Sequence, residues 1–240
     1  MNDYLNLKNV SKSYGNGKQV SQVLRSVSLS LSKGEQVALL GQSGCGKSTL
    51  LNIIAGIDRL DGGEVYVADN ALHKLTEKER TLFRRQHIGF IYQSFNLIPT
   101  LTALENVQIP LHLNGFNPGE INSRANAMLE QVGLAGRIDA FPDQLSGGEQ
   151  QRVAIARGMI HSPALVLADE HTGNLDAATG REMQTLFNDV ARSTGQTVLM
   201  VTHSQVVAEA ADRVVEMVDG CIQPNSEHKP EKLPQNTRDN

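Results

Sequence analysis

Gly41-Gln42-Ser43-Gly44-Cys45-Gly46-Lys47-Ser48 has the spacing of a phosphate-binding loop, and Thr49 continues it into an apolar segment. Glycines let the backbone wrap a phosphate chain and aim successive N–H groups at its oxygens, at the positive end of the following helix. Lys47 can reach the β- and γ-phosphates, and the Ser48 hydroxyl can ligate Mg²⁺. Cys45 lies between a helix N-terminus and Lys47, a setting that favours a reactive thiolate. It can equally be a small residue that fills the loop.

A second pair of groups suits the same chemistry. Asp169-Glu170 closes the apolar run Leu165–Ala168, and ligands of open parallel sheets sit at the carboxyl ends of strands. Asp169 is placed to hold Mg²⁺, while Glu170 can polarise a water attacking the γ-phosphate. Further along the function but earlier in the chain, Leu145-Ser146-Gly147-Gly148-Glu149-Gln150 opens a helix. Ser146 and Glu149 have the spacing of a capping box. The two glycines leave backbone amides uncovered, so a second phosphate can approach there. One phosphate loop plus a separate cradle suggests a dimer in which each cradle covers the partner's nucleotide.

These residues need a framework, and the hydropathy pattern supplies one. Ser26–Ser32 alternates, with Val27, Leu29 and Leu31 on one face; Leu5 and Leu7 share that period, as do Val65 and Val67 after an Asp61-Gly62-Gly63 turn. Val37–Leu40, Leu165–Ala168 and Val198–Val201 are continuously apolar, as parallel strands buried on both faces are. Ile121, Ala125, Met128, Leu129 and Val132 recur at helical spacing and stop at Gly133, a C-cap. Thr76 and Glu79 start another helix, on which Arg84-Arg85 reads as a solvated face. Asp219-Gly220 between Val214–Val218 and Cys221-Ile222 marks a hairpin. From Gln223 the chain is rich in Pro, Lys, Glu and Asn, so residues 225–240 read as a disordered polar tail.

Composition excludes several classes. A net charge of −4 argues against a sequence-independent grip on nucleic acid. No apolar run approaches the roughly 20 residues that span a bilayer, and Met1-Asn2-Asp3-Tyr4 has no secretory pattern. Two cysteines, Cys45 and Cys221, make neither a metal clip nor a disulfide framework. The expectation is a soluble, reduced, cytoplasmic protein with no direct membrane insertion. Each motif occurs once, which indicates one nucleotide-binding unit.

Taken together, the motifs resemble those of ABC-transporter ATP-binding subunits, from about Leu5 to Ile222. Ser146–Gln150 is similar to the family's signature sequence, Leu165–Asp169 to its Walker B strand and Gln93 to its Q-loop glutamine. Asn174-Leu175-Asp176 is similar to the D-loop, His203 to the switch histidine and Tyr14 to the aromatic that stacks on adenine. Phe83–Phe90, Leu97–Val107 and Gly173–Asp176 resemble the lipoprotein-release and macrolide-export branch.

The resemblance implies an α/β P-loop ATPase core with an N-terminal antiparallel β-subdomain and a helical subdomain inserted at about 93–163, all within one domain over residues 1–224. It implies ATP and Mg²⁺ as ligands, with catalytic roles for Lys47, Gln93, Glu170 and His203. Mg²⁺ would be held through Ser48, Gln93 and Asp169. Two copies would sandwich two ATP molecules, with Ser146, Gly147, Gly148, Gln150 and Asp176 serving the opposite subunit. A separate integral membrane permease would dock near Phe95–Leu101 and hold the protein at the cytoplasmic face of the membrane. The same engine would serve a signalling ATPase whose permease-like partner drives an extracytoplasmic enzyme. One departure from the family is His171, where a proline usually follows the catalytic glutamate; its absence suggests that Glu170 is held less firmly.

Overall fold

A computed structural model describes residues 3–15, 20–170 and 176–223. In chain order it contains β1 (Asp3–Tyr14), β2 (Ser21–Ser32), β3 (Gln36–Leu40), α1 (Lys47–Ile54), β4 (Gly62–Val67), β5 (Asn70–Ala71), α2 (Glu77–His87) and β6 (Ile88–Ile91). Then follow α3 (Ala103–Leu113), α4 (Pro118–Gln131), α5 (Gly147–Met159), β7 (Leu165–Asp169), α6 (Ala177–Ser193), β8 (Thr197–Thr202), α7 (Gln205–Ala208), β9 (Arg213–Val218) and β10 (Cys221–Ile222). Four strands form an antiparallel sheet in the order β2-β1-β4-β5, and six form a second sheet in the order β10-β9-β3-β8-β7-β6.

Alternation builds the antiparallel sheet. Leu5, Leu7 and Val10 of β1 and Leu24, Val27, Leu29 and Leu31 of β2 are all buried on one face. The register slips between Leu7↔Leu29 and Val10↔Val27, where Asn9 takes a left-handed backbone angle, and again between Val10↔Val27 and Lys12↔Leu24, where Ser26 does. Gly62-Gly63 turns out to lie inside β4 rather than in a turn before it. A Cβ on Gly63 would meet the Asn9 carbonyl oxygen at 2.4 Å. The glycine is therefore required by the close approach of two strands.

The continuous apolar runs form the parallel sheet. β3 pairs with β8 and β9, and β7 pairs with β6 and β8, all in parallel. Period two then splits each run between two cores. Leu165, Leu167, Leu199 and Val201 pack with α1 and the antiparallel sheet. Val166, Ala168, Val198 and Met200 pack with Phe187, Val190 and Ala191 of α6. Parallel strands need such cover on both faces, because neither face is polar.

Between β6 and β7 the chain leaves the sheet to form α3, α4 and α5, which share a third core of Val107, Leu111, Ile121, Ala125, Leu129 and Val153. The helical pattern ends at Gly133, whose φ of 75° suits a residue just past a helix. α5 divides its side chains, sending Ile155 and Met159 to the sheet and Val153 and Ala156 to the helical core. It lies hard against β6: a Cβ on Gly89 would meet the Gly158 carbonyl oxygen at 2.2 Å. The Asp219-Gly220 turn, with both φ values positive, joins β9 to β10 as a hairpin.

α2 is closed by the Thr76–Glu79 capping box, but Arg84 is not on a solvated face. Its guanidinium donates to the Gly56 oxygen at 3.1 Å and the Ala55 oxygen at 3.4 Å, satisfying carbonyls left open at the end of α1.

Candidate nucleotide site

α1 begins without a side-chain cap. Its N-cap is Gly46, at φ 105°, whereas α2, α3, α4, α5 and α6 are capped by Thr76, Thr102, Asn117, Ser146 and Asp176. An uncapped terminus leaves its amides and positive dipole end for an anion. The loop before it has no room for a side chain at Gly41 or Gly46. A Cβ on Gly41 would meet the Met217 oxygen at 2.5 Å, and one on Gly46 would meet the Val23 oxygen at 2.9 Å. The result is a cleft of about 260 Å³ lined by Ser43, Gly44, Lys47, Ser48, Gln93 and Glu170, among others. Gln42 is exposed beside it.

Glu170, just past the end of β7, lines this cleft, and Asp169 and His203, at the ends of β7 and β8, reach its lining residues. Ser48 Oγ donates to Asp169 Oδ1 at 3.2 Å. Burial, foremost, raises the Asp169 pKa, and the neighbouring Glu170 charge adds to that effect; the Ser48 hydroxyl and Lys47 partly oppose it. Glu170 Oε1 lies 3.2 Å from His203 Nδ1 and 3.7 Å from Lys47 Nζ. Lys47 also donates to the carbonyls of Gly41 at 2.8 Å and Gln42 at 3.0 Å. A hydroxyl and a carboxylate side by side are hard oxygen donors, the kind that hold Mg²⁺ together with substrate phosphates.

Glu170 has a left-handed φ of 41°, with its N–H donating to the Val201 oxygen at 3.0 Å. A following proline favours extended backbone instead. The expectation that proline at 171 would hold Glu170 better therefore does not match the conformation found; His171 itself lies outside the described residues. Cys45 is buried in the core, its sulfur within 2.7 Å of where a Gly41 Cβ would lie. The loop-filling role fits this position, and an accessible thiolate does not.

The cradle at Ser146 forms its capping box as expected, with Ser146 N–H donating to Glu149 at 2.8 Å and Glu149 N–H to Ser146 at 3.3 Å. Gln150 folds back to the Leu145 carbonyl at 3.1 Å. None of Ser146, Gly147, Gly148 and Gln150 lines the phosphate-loop cleft. Asp176 caps α6, accepting from the N–H groups of Ala178 and Thr179. The remainder of the D-loop segment, 173–175, is outside the described residues.

Comparison with known proteins decides the family. The ABC transporter family pattern matches residues 24–173. This chain belongs to that family. It is 49% identical over 218 residues to an uncharacterized ABC transporter ATP-binding protein of Mycobacterium tuberculosis, covering 91% of this chain and 88% of that one. It is 44% identical to the lipoprotein-releasing system ATP-binding protein LolD of Colwellia psychrerythraea, covering 98% and 91%. Its fold superposes with a TM-score of 0.86 and 40% identity on the ATP-binding cassette MJ0796, solved as a dimer in a post-hydrolysis state bound to ADP and Pi, covering 95% of this chain and all of that one. The protein is thus an ATP-binding ABC ATPase. Among the described residues no helix is long and apolar enough to cross a membrane.

Sequence reading named Tyr14 but missed what holds it. Tyr14, at the end of β1, is 43% exposed, and its hydroxyl donates to Asp58. Lys12, also on β1, is buried beside it. The available signal was the spacing: residues two apart on a strand share a face. Arg157 was also unforeseen; it donates to the Phe95 and Asn96 carbonyls at 2.7 and 2.6 Å, holding two successive left-handed residues after Gln93.

Proposed function

We propose that this protein is the ATPase subunit of an exporter-type ABC system, working as a head-to-tail homodimer that energises a separate membrane permease from the cytoplasmic face. The observation that carries the reading is that the uncapped α1, Ser48 and Glu170 line one cleft, with Asp169 bonded to Ser48 and His203 beside Glu170, while the Ser146 cradle does not line it. Such a split site needs a second copy to complete it.

In this reading the amides of residues 43–48 and the Lys47 ammonium bind the β- and γ-phosphates of ATP. Ser48 and Asp169, with Gln93, hold Mg²⁺, which neutralises charge on the phosphates. Glu170 takes a proton from the attacking water, and His203, 3.2 Å from it, donates a hydrogen bond to the γ-phosphate. Tyr14 stacks on adenine. Ser146, Gly147, Gly148, Gln150 and Asp176 contact the nucleotide of the opposite subunit. Residues 1–224 act as one domain, with 93–163 as its helical part and 225–240 as a polar tail. The similarity to LolD supports a cargo of the lipoprotein, peptide or macrolide kind.

Two measurements test this. Glu170→Gln should keep ATP binding, abolish most turnover and elute as a dimer only with ATP in size-exclusion chromatography; a fully active monomer contradicts the assignment. The tagged protein, extracted from its native membranes in mild detergent, should bring down one integral membrane protein in stoichiometric amount. Recovery without any membrane protein contradicts the permease.

A further inference from the structure

Tyr14 is held by a polar network that the phosphate chemistry does not require. Its hydroxyl donates to Asp58. Asp58 follows the end of α1 and is tied to it by its own N–H, which donates to the Asn52 oxygen at 3.1 Å, so the phosphate-loop helix holds the phenol through that carboxylate. Lys12 Nζ donates to Asp58 Oδ1 at 2.9 Å and to the Arg59 carbonyl at 2.6 Å. It also lies 4.9 Å from the Tyr14 ring centroid, and Asp61 is 3.8 Å away. Only 8% of Lys12 is exposed. Burying an ammonium is costly unless it is paired, and here its pairing fixes the position of the Tyr14 ring.

We infer that Lys12 and Asp58 are positioning residues for the adenine-stacking face of Tyr14, setting the base site at a fixed offset from the phosphate loop. The inference rests on the proposed role of Tyr14. With the Lys12 cation against one face of the ring and the hydroxyl tied down, the ring has one open face and little freedom to turn. A planar base then stacks without having to immobilise the side chain first. Because Asp58 is bonded to Asn52 of α1, the base and phosphate sites move as one body, and an ATP molecule of fixed length meets both together.

The experiment measures Kd for ATP and for inorganic tripolyphosphate, each with Mg²⁺, on the full chain. Tripolyphosphate carries the phosphates but no base. Tyr14→Ala should weaken ATP roughly tenfold, the size of a lost base–aromatic stack. Asp58→Asn, Lys12→Met and Tyr14→Phe should each weaken ATP by roughly two- to tenfold, the entropy of one side chain that must now be ordered. All four should bind tripolyphosphate within about twofold of the parent, since the phosphate loop is untouched. In a Tyr14→Ala background, Asp58→Asn should add nothing. If Tyr14→Ala weakens ATP but Asp58→Asn and Lys12→Met do not, the positioning role is wrong and Tyr14 alone makes the base site. Equal weakening of both ligands by Asp58→Asn also overturns it, because the damage is then general. If Tyr14→Ala leaves ATP binding unchanged, the adenine reading fails and the inference falls with it.

Discussion

Asp58 and Lys12 are bonded at 2.9 Å and shift in opposite directions. Burial alone pushes the Asp58 carboxyl up, but hydrogen bonds from Tyr14, Lys12 and the Arg59 N–H outweigh it, and the net pKa is lowered. Burial likewise pushes Lys12 down, and Asp58 and Asp61 more than reverse this, so its pKa is raised. A depressed carboxylate stabilises the fold above its unfolded pKa, about 3.9, and that contribution is lost as pH falls through the lower folded value. A raised lysine contributes below its unfolded pKa, about 10.4, and loses its contribution as pH rises through the folded value. Asp58→Asn should therefore lower the Tm by a constant amount between about pH 5 and 9, with the gap to the parent closing below about pH 4. Thermal unfolding followed by circular dichroism over pH 2.5–9, an assay range set at roughly these limits, reads this directly. A gap that stays constant into acid would show that the Asp58 charge does not matter.

Among elements, the segment between β6 and α3 joins the cleft to the helical part, and it is fastened from two helices. Asn106 of α3, fully buried, accepts from the Ile98 N–H at 2.8 Å and donates to the carbonyls of Ile98 and Leu101 at 3.1 and 3.0 Å. Arg157 of α5 holds Phe95 and Asn96. Asn106→Leu has similar bulk but leaves the Ile98 N–H without its partner and takes one hydrogen bond each from the Ile98 and Leu101 carbonyls, the former keeping its bond from the Leu101 N–H. It should cost about 1–3 kcal/mol in denaturant unfolding and accelerate amide exchange at Ile98. Its effect on ATP affinity should be small, because the phosphate loop hangs on β3 and α1. Loss of nucleotide binding equal to the loss of stability would mean that the two regions are not separable.

For the whole molecule, the division of the site predicts complementation. In a heterodimer of Lys47→Ala and Gly148→Asp chains, both lesions fall on one nucleotide and the other site stays intact. Gly148 has little room: a Cβ there would lie 3.1 Å from the Thr179 methyl, and the Thr179 hydroxyl is bonded to Asp176 at 2.6 Å. The substitution thus strains Ser146–Gln150 and Asp176 together, the surfaces proposed to serve the partner. Mixing two inactive variants should restore about half or less of parental turnover per heterodimer, given one intact site of two and coupling between sites. No recovery in a mixture whose heterodimers are verified by mass spectrometry would argue that each chain uses its own cradle.

What the sequence alone determined is contiguous. The phosphate loop, the capping boxes at Thr76 and Ser146, the Asp219-Gly220 hairpin and the parallel strands were legible because each is governed by residues within a few positions. Their causes are steric limits on φ, a side chain reaching its own backbone, and the period of burial. Tertiary structure decided the rest. Lys12 meets Asp58 across 46 positions, Arg84 meets Gly56 across 28, and Arg157 meets Phe95 across 62. It also buried Cys45, turned Glu170 left-handed against β8 and used Gly63 for a close approach of strands where a turn was expected. Each of these depends on strand order and on which helix packs over which strand, so a buried charge or an open carbonyl finds its partner only once the chain has closed.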